Sequence, residues 1–289
     1  MSADPLERTS TRVSLPGVTL DVVQSGAGSM ILFLHGFPER GRAWYRIAAK
    51  LSDHHHCVVP DQRGYGASEW PRKQEAYEID VLLGDVDALV EHFAPARLTL
   101  VGHDWGGLLA WWFASRKPDR VDRLIVVNAP HPAVFQRALL HDPEQRQASA
   151  YIARFREPGA ELRLMPDGPE AFWDETFGRL GDALTAQDRA CYIAAWSQPG
   201  AVRAMLAWYR AAPFRLEGET PGWVDEVAVI SSPTLVLWGL RDTALLPRLL
   251  DPLPELVSNL RIVRFDNAGH SLIHQEPDTV AAHIRSFAA

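Results

Sequence analysis

Short apolar runs alternate with longer segments of mixed polarity along the first half of the chain. The runs are rich in valine, isoleucine and leucine, and each ends in glycine or polar residues. Near-continuous apolar content is typical of strands buried on both faces of a parallel sheet. Segments between the runs, such as Tyr77–Phe93, have the length of helices, so the pattern predicts alternating β and α units. The apolar runs are Met30–Phe37, His56–Gly66, Leu98–Val101, Arg123–Pro130, Thr234–Asp242 and Leu260–His270.

The same pattern divides the chain into a core and an insertion. Apolar and polar residues alternate in TRVSLPGVTLDVVQSG, near the N-terminus, and this pattern predicts an antiparallel hairpin at the leading edge of the sheet. After Pro130 the β–α alternation stops, and a long stretch rich in Trp, Tyr, Arg and Ala precedes the strand that begins at Thr234. We therefore predict an α/β fold with a mostly parallel central sheet flanked by helices. Its core comprises residues 1–130 and 223–289, and a helical cap is inserted at residues 131–222.

The first helix of this cap is predicted from its capping residues. Asp142, Pro143 and Gln145 have the order of an N-cap, a first helical residue and an N3 partner. Pro158–Gly159 then ends the helix. The prediction is one helix that carries Tyr151 near its middle.

Two further cap helices follow. Thr185 and Asp188 have the spacing of a capping box, which opens the second helix. The segment Gln198–Gly200 separates it from a third helix that carries Trp208 and Tyr209.

A tight turn holds an acidic residue among glycines in LTLVGHDWGGLLAWW. The spacing around Asp104 is that of the nucleophile elbow, a strained strand-to-helix turn that lifts one side chain above the sheet. Gly102 and Gly106 allow the two backbones to approach, and Gly107 adds room. A plain helix N-cap is the simpler interpretation of Asp104, but capping does not require flanking glycines. A carboxylate here suits attack on a saturated carbon that carries a leaving group or a strained ring, with an alkyl ester as the intermediate.

Hydrolysis of such an ester requires a base and an acid that orients it. His270 follows the last predicted strand and Asp242 follows the strand before it. The order of nucleophile, acid and histidine is that of triads at the carboxyl ends of such sheets. Asp266 is the alternative acid, but it is close in sequence to His270 and lies outside the loop after the preceding strand.

The sequence LHGFPER supplies a candidate oxyanion hole. It follows a buried strand and makes a turn that directs the backbone N–H of Phe37 at the developing oxyanion, with the N–H of Trp105 as second donor. His35, Gly36 and Pro38 of the same turn, together with Trp105, are expected to contact the substrate.

Composition and charge favour a small-molecule substrate. Apolar residues make up 47% and charged residues 22% of the chain, which is ordinary for a globular protein with a sizeable core. The chain has 29 basic and 36 acidic residues and a formal charge of −7, without long runs of either sign. We therefore expect no nucleic-acid partner and no membrane partner.

Metal, disulfide and targeting signals are absent from the sequence. Cys57 and Cys191 lie far apart without a CxxC spacing, and MSADPLERTS lacks the basic and apolar regions of a secretory signal. His54, His55 and His56 are adjacent, so they cannot converge on one metal from a regular strand. DQRGYG lacks the GxGxxG spacing of a nucleotide site and is interpreted as a strand-end turn near the base of the site. We expect a cytoplasmic protein without cofactor or metal.

Several of these motifs together resemble one family. HGFPE, DQRGYGAS, GHDWGG, NAPHP, the Asp242 loop and GHSLIHQEP are similar to the α/β-hydrolase fold, specifically its aspartate-nucleophile branch of epoxide hydrolases and haloalkane dehalogenases. The resemblance covers nearly the whole chain outside the first residues and parts of the cap. It implies the triad Asp104, Asp242 and His270.

The resemblance also implies a pair of tyrosines in the cap that act as proton donors. YIARFREPG resembles the first tyrosine segment of epoxide hydrolases and AWYRAA the second, which gives Tyr151 and Tyr209. Their hydroxyls would protonate the epoxide oxygen, because an alkoxide is a poor leaving group near neutral pH. Tyr192, the competing cap tyrosine, is expected to pack in the core of its helix. Trp111, Trp112 and Trp208 are likewise expected to pack in the core.

Together, the motifs and the resemblance predict an epoxide hydrolase that converts an epoxide and water to a vicinal diol, as a monomer or homodimer. A haloalkane or haloacid dehalogenase with the same triad is the first alternative. Phe37 stands where many haloalkane dehalogenases have Asn, and Trp105 stands where fluoroacetate dehalogenases have Arg. A non-catalytic hydrolase-fold protein that binds a small ligand is the second alternative, and it would not need an intact triad.

Overall fold

One eight-stranded sheet organises the chain. The computed structural model describes residues 10–227 and 229–289, and the expectation about a signal within residues 1–9 lies outside the described residues. The strands are ordered β1-β2-β4-β3-β5-β6-β7-β8. β1 and β2 form an antiparallel hairpin at one edge, β2 pairs antiparallel with β4, and the other pairs are parallel. The strands are β1 Ser10–Leu15, β2 Val18–Ser25, β3 Ser29–Leu34, β4 His55–Pro60, β5 Leu98–His103, β6 Arg123–Val127, β7 Thr234–Gly239 and β8 Leu260–Phe265.

Both the mostly parallel sheet and the edge hairpin are therefore confirmed. The central strands β5 and β7 are buried along their whole length, as expected for strands covered on both faces. β8 differs from the expectation, because it is the edge strand and none of its residues is fully buried. Its two arginines, Arg261 and Arg264, lie at exposed positions.

Helices cover the sheet and fill the insertion between β6 and β7. They are α1 Tyr45–Leu51, α2 Ile79–Phe93, α3 Trp105–Arg116, α4 Pro132–His141, α5 Pro143–Ala148, α6 Tyr151–Arg156, α7 Ala160–Leu164, α8 Gly168–Phe177, α9 Ala186–Trp196, α10 Ala201–Ala211, α11 Trp223–Glu226, α12 Leu253–Leu256, α13 Leu272–Gln275 and α14 Pro277–Ala288. Short 3₁₀ helices lie at Gly41–Trp44, Gln74–Tyr77, Pro118–Arg120, Gly178–Ala183 and Pro247–Leu250.

The first predicted cap helix is two helices. α5 ends at Ala148, and α6 begins at Tyr151 after a short turn. Asp142 does cap α5, by accepting hydrogen bonds from the backbone N–H groups of Glu144 and Gln145. The Gln145 side chain does not return to the N-cap, however. It donates to the carbonyl of Ala244 at 2.8 Å, and so joins the insertion to the loop after β7.

The other two predicted cap helices are confirmed. Thr185 and Asp188 form a complete capping box at the start of α9. α10 begins after Gly200, which has φ 93°, and it carries Trp208 and Tyr209 on buried positions.

Two apolar clusters lie on opposite faces of the sheet. One cluster packs α1 and α14 against it. The other contains buried residues of α2 and α3 together with residues of the inserted helices, including Phe172, Trp196 and Trp208. The insertion therefore shares a continuous core with one face of the sheet. Among the described residues, no helix is both long enough and apolar enough to cross a membrane.

Candidate active site

The turn between β5 and α3 holds Asp104 in a strained conformation. Its φ of 51° and ψ of −121° lie outside the regions that residues with a side chain normally adopt. A Cβ at Gly102 would lie 2.3 Å from the carbonyl oxygen of Gly106, and one at Gly106 would lie 2.2 Å from that of Leu34. The predicted need for small residues is confirmed, since the glycines permit the close approach of strand and helix.

The Asp104 carboxylate does not cap α3. Its side chain makes no capping hydrogen bond, and Oδ1 accepts a hydrogen bond of 2.8 Å from the backbone N–H of Phe37. The simpler N-cap interpretation therefore fails at the level of the side chain. The elbow directs the carboxylate at the neighbouring turn after β3 instead.

The structure brings His270 and Asp242 to this carboxylate. His270 Nε2 lies 3.6 Å from Asp104 Oδ2, and its Nδ1 lies 2.8 Å from Asp242 Oδ2. All three residues follow the carboxyl ends of parallel strands, which meet at one edge of the sheet. The alternative acid, Asp266, is exposed, and its backbone carbonyl accepts a hydrogen bond from Arg241.

Asp242 is fixed by neighbours that the sequence did not point to. Asn128 donates to its Oδ2 at 2.8 Å, and the backbone N–H groups of Ala244 and Leu245 each donate to Oδ1 at 2.9 Å. Asn128 also accepts a hydrogen bond of 3.0 Å from the N–H of Gly239. Asn128 is fully buried with φ 40°, so its backbone and side chain are both committed to holding this loop.

These contacts determine the charges of the pair. Burial raises the pKa of Asp242, but the charge of His270 and the hydrogen bonds outweigh it, so the pKa is lowered overall. For His270, burial opposes the charged form, but the charges of Asp242 and Asp104 raise the pKa to about 9. The raised pKa favours the protonated imidazole at neutral pH.

Both predicted cap tyrosines line the small cavity that contains Asp104. The rings of Tyr151 and Tyr209 have centroids 6.0 Å apart, and Tyr209 packs edge-on to Trp105 at 5.1 Å. Burial and then the charges of Asp104 and Asp242 raise the pKa of Tyr151. Burial, together with Tyr151 and Asp104, raises the pKa of Tyr209. Both phenols are thus protonated near neutral pH and able to donate a proton.

The residues of the turn after β3 are placed differently from one another. Gly36 lies against Asp104, because a Cβ there would be 2.4 Å from the Cβ of Asp104. His35 is fully buried, with Nδ1 3.0 Å from the carbonyl of Gly36 and Nε2 accepting the N–H of Gln62. Its contact with substrate stays a prediction. Both ring nitrogens hold the turn.

The backbone N–H of Trp105 is the second predicted donor to the oxyanion. Within the part of the chain that the structure describes, the Trp105 amide makes no hydrogen bond to the Asp104 carboxylate, and its participation stays a prediction. Pro38 lines a second, larger cavity of about 680 Å³. Phe37 and Phe155 line the same space. Tyr151 borders both this cavity and the cavity of Asp104.

A buried polar cluster adjoins His270 and was missed by the sequence analysis. Glu39 accepts a hydrogen bond from His274 Nε2, and its Oε2 lies 3.3 Å from His103 Nδ1. His103 Nε2 lies 2.9 Å from the backbone carbonyl oxygen of His270. Burial raises the pKa of Glu39, but the charge of His274 and hydrogen bonds to both histidines hold it below its usual range.

The residues expected to be structural are in the core. Tyr192 is buried and packs on Trp173 and Trp196, as predicted. Trp111, Trp112 and Trp208 are buried as well. The turn at residues 61–66 lies at the base of the site, where Gln62 holds His35, which confirms its interpretation.

The adjacent histidines take part in separate contacts. His55 Nδ1 lies 3.0 Å from the hydroxyl of Ser29, and His56 Nε2 lies 3.1 Å from the side-chain oxygen of Gln24. Over residues 10–227 and 229–289, no group of His, Cys, Asp or Glu side chains is arranged to hold a metal ion.

Comparison with known proteins places the chain first in a broad class and then in a family. A profile described as alpha/beta hydrolase fold matches residues 30–277. The AB hydrolase superfamily protein YfhM of Bacillus subtilis (strain 168) is 34% identical over 281 residues, covering 95% of this chain and 96% of that protein. Epoxide hydrolase 3 of Xenopus tropicalis is 34% identical, over 96% of this chain and 76% of that protein.

A solved structure extends the similarity to the whole chain. It is described as one of the novel epoxide hydrolases of the alpha/beta hydrolases superfamily from metagenomes of hot environments. The two share 37% identity with a TM-score of 0.89, over 100% of this chain and 99% of the other. The chain therefore belongs to the epoxide hydrolase family of the α/β-hydrolase fold.

Proposed function

We propose that this protein hydrolyses epoxides to vicinal diols through a covalent ester on Asp104. The observation that carries the proposal is a carboxylate and two protonated phenols in one small cavity. A ring-opening reaction needs a nucleophile and an acid at the same place. Membership of the epoxide hydrolase family supports the same substrate class.

In the first step a carboxylate oxygen of Asp104 attacks the less hindered ring carbon. The carbon–oxygen bond of the epoxide breaks, and its oxygen takes a proton from Tyr151 or Tyr209. Burial favours this role, because a phenol in a low-dielectric cavity stabilises a developing alkoxide more strongly than water does. The product of the step is a hydroxyalkyl ester of Asp104.

In the second step water attacks the carbonyl carbon of this ester. His270 Nε2 takes a proton from the water, and Asp242 stabilises the imidazolium that forms. The Phe37 N–H, 2.8 Å from Oδ1, supports the oxyanion of the tetrahedral intermediate. Collapse of the intermediate passes its hydroxyl proton to the departing alkoxide, which releases the diol and regenerates the Asp104 carboxylate beside a protonated His270.

The charge on His270 must change between the two steps. With Asp104 ionised, its pKa is about 9, with the Asp104 charge among the causes. Alkylation converts that carboxylate to a neutral ester, which removes one of the charges that hold the proton on the imidazole. The pKa of His270 falls, its proton passes through solvent to the tyrosinate formed in the first step, and the neutral imidazole then acts as the base in the second step.

The same triad would serve a dehalogenase, so the tyrosines decide between the two activities. A halide is a good leaving group and needs no proton, whereas an alkoxide does. We further propose that residues 131–222 act as a cap that supplies these donors, since α6 and α10 carry Tyr151 and Tyr209 into the cavity of Asp104. A protein that only binds a ligand would have no use for the paired acid and base.

The test replaces both tyrosines with Phe. Tyr151→Phe/Tyr209→Phe should slow diol formation from styrene oxide by about 10²–10⁴-fold, because general acid catalysis is lost while the fold is retained. Tyr192→Phe is the matched control, since its hydroxyl has no hydrogen-bond partner among the described residues and should be dispensable. Chromatographic measurement of the diol gives the result. Epoxide turnover that survives in the double variant would refute the role of the tyrosines.

A further inference from the structure

One charged side chain lines the Asp104 cavity without any part in the proposed chemistry. Arg156 is the last residue of α6, and it borders the cavity together with Tyr151 and Tyr209. No acidic side chain of the described residues pairs with it, although it is half-buried. A desolvated guanidinium is costly unless its N–H groups find partners, so its contacts call for an explanation.

The partners are all backbone carbonyls, two at the C-terminal end of α10 and one in the segment that follows it. Arg156 Nε donates to the carbonyl of Tyr209 at 2.8 Å, Nη1 to that of Phe214 at 2.8 Å, and Nη2 to that of Ala212 at 3.3 Å. The last carbonyls of a helix lack partners within the helix and carry partial negative charge. The guanidinium therefore substitutes for an acidic partner by binding the C-terminal end of α10.

This contact joins α6 and α10, the two helices that carry Tyr151 and Tyr209. Tyr151 and Arg156 are the first and last residues of α6, and Tyr209 itself provides one of the three carbonyls. α6 has six residues, too few for a helix to hold its position without tertiary contacts. The rings also touch, since Phe155 lies 5.4 Å from Tyr151 and 4.9 Å from Tyr209 between ring centroids.

We propose that Arg156 is a positioning residue that fixes Tyr151 and Tyr209 relative to each other and to Asp104. The inference rests on the proposed function. Two donors must converge on one oxygen, so a small rotation of α6 against α10 would misplace at least one hydroxyl. A planar fork with three bonds sets both distance and angle, which a single-point lysine contact cannot do. Arg156 would thus act on ring opening and leave ester hydrolysis untouched.

The test measures the two steps separately. In a His270→Gln background the ester on Asp104 accumulates, and its rate of formation from styrene oxide is followed by intact mass. Arg156→Met should slow this step by about 10–100-fold. Arg156→Lys should lose nearly as much, because it keeps the charge and not the fork. With His270 intact, single-turnover decay of the ester should stay within about twofold of wild type.

A matched control removes another tether of the same helix. Arg210 lies on α10, where it pairs with Glu161 and donates to the carbonyl of Glu157 at 3.2 Å. It does not border the Asp104 cavity. In the His270→Gln background, Arg210→Gln should form the ester at the same rate as the His270→Gln parent. An equal loss in Arg210→Gln, equal slowing of both steps in Arg156→Met, or full rescue by Arg156→Lys would overturn the proposal.

Coupling to the tyrosine gives an independent readout. In a Tyr209→Phe background, Arg156→Met should slow ester formation by less than about threefold, because one of the two hydroxyls whose relative position it fixes is already absent. Additive losses would contradict positioning. Failure of the proposed function is seen elsewhere: the His270→Gln parent would then form no ester from the epoxide, whatever residue occupies position 156.

Discussion

At the scale of single residues, the central feature is a carboxylate whose charge is used twice. In the proposed reaction Asp104 is the nucleophile while it is ionised, and its charge also holds a proton on His270, 3.6 Å away. Once it is esterified, that charge is gone, and the imidazole loses its proton more readily. The proposed covalent step therefore prepares the base for the hydrolytic step.

This coupling predicts a difference in titration between two forms of the protein. The pKa of His270, about 9 in the wild type, should be lower in Asp104→Asn, whose neutral amide resembles the ester in charge. NMR titration of the imidazole measures both values. Identical pKa values in the two proteins would contradict the coupling.

The same shift has a consequence for stability. The folded-state pKa of His270 is raised from the ordinary value of 6.5 to about 9. Its stabilising contribution is therefore complete below about pH 6.5 and is lost as the pH rises through about 9. The unfolding free energy of the wild type should fall across this range more steeply than that of His270→Gln, as measured by urea denaturation.

At the scale of elements, the β5–α3 turn illustrates how backbone crowding positions Asp104. Strand and helix approach so closely that Gly102 lies against the carbonyl of Gly106. Backbone atoms cannot move aside as a flexible side chain can. The strain in Asp104 is thus maintained by contacts on both sides of the turn.

A pair of alanine substitutions tests this crowding. Gly102→Ala should destabilise the protein by about 2–4 kcal/mol, because its Cβ would lie 2.3 Å from the carbonyl oxygen of Gly106. Gly84→Ala in α2 is the control, since a Cβ there meets nothing within 4 Å. It should stabilise the helix by up to about 1 kcal/mol. Denaturant unfolding of both variants provides the comparison, and equal stabilities would count against the crowded turn.

The sequence predicted elements with strong local signals and missed those without them. The hairpin, the capping box at Thr185 and the glycine turn all have local signatures that the structure confirms. The sequence did not predict the break between α5 and α6, because it lies at Ser149 and Ala150, and neither of these is a proline or a glycine. Gln145 was expected to cap its own helix, but a partner distant in the sequence, Ala244, binds it instead.

The same limit applies within the site. Glu39 and His274 are separated by 235 positions, and Asn128 and Asp242 by 114. Such contacts arise only when the strands have been brought together, so no spacing in the sequence announces them. Arg156 is a further case, because its partners are backbone carbonyls, which carry no residue-type signal at all.

At the scale of the whole molecule, the site is assembled from distant parts of the chain. Asp104, Asp242 and His270 follow strands β5, β7 and β8 of one sheet. Tyr151 and Tyr209 come from the helices inserted between β6 and β7. The inserted helices share an apolar core with the sheet, which holds Tyr151 and Tyr209 beside Asp104. Fold and proposed reaction are connected through this packing.

Trapping the covalent intermediate tests the account most directly. His270→Gln is incubated with styrene oxide and, in a separate sample, with 1-bromobutane, and intact mass is followed by peptide mapping. Without the base, the ester should form and persist, so we expect a hydroxyalkyl adduct on Asp104 from the epoxide alone. A butyl adduct from the bromide in place of the epoxide adduct, or no adduct on Asp104 from the epoxide, would contradict the proposed reaction.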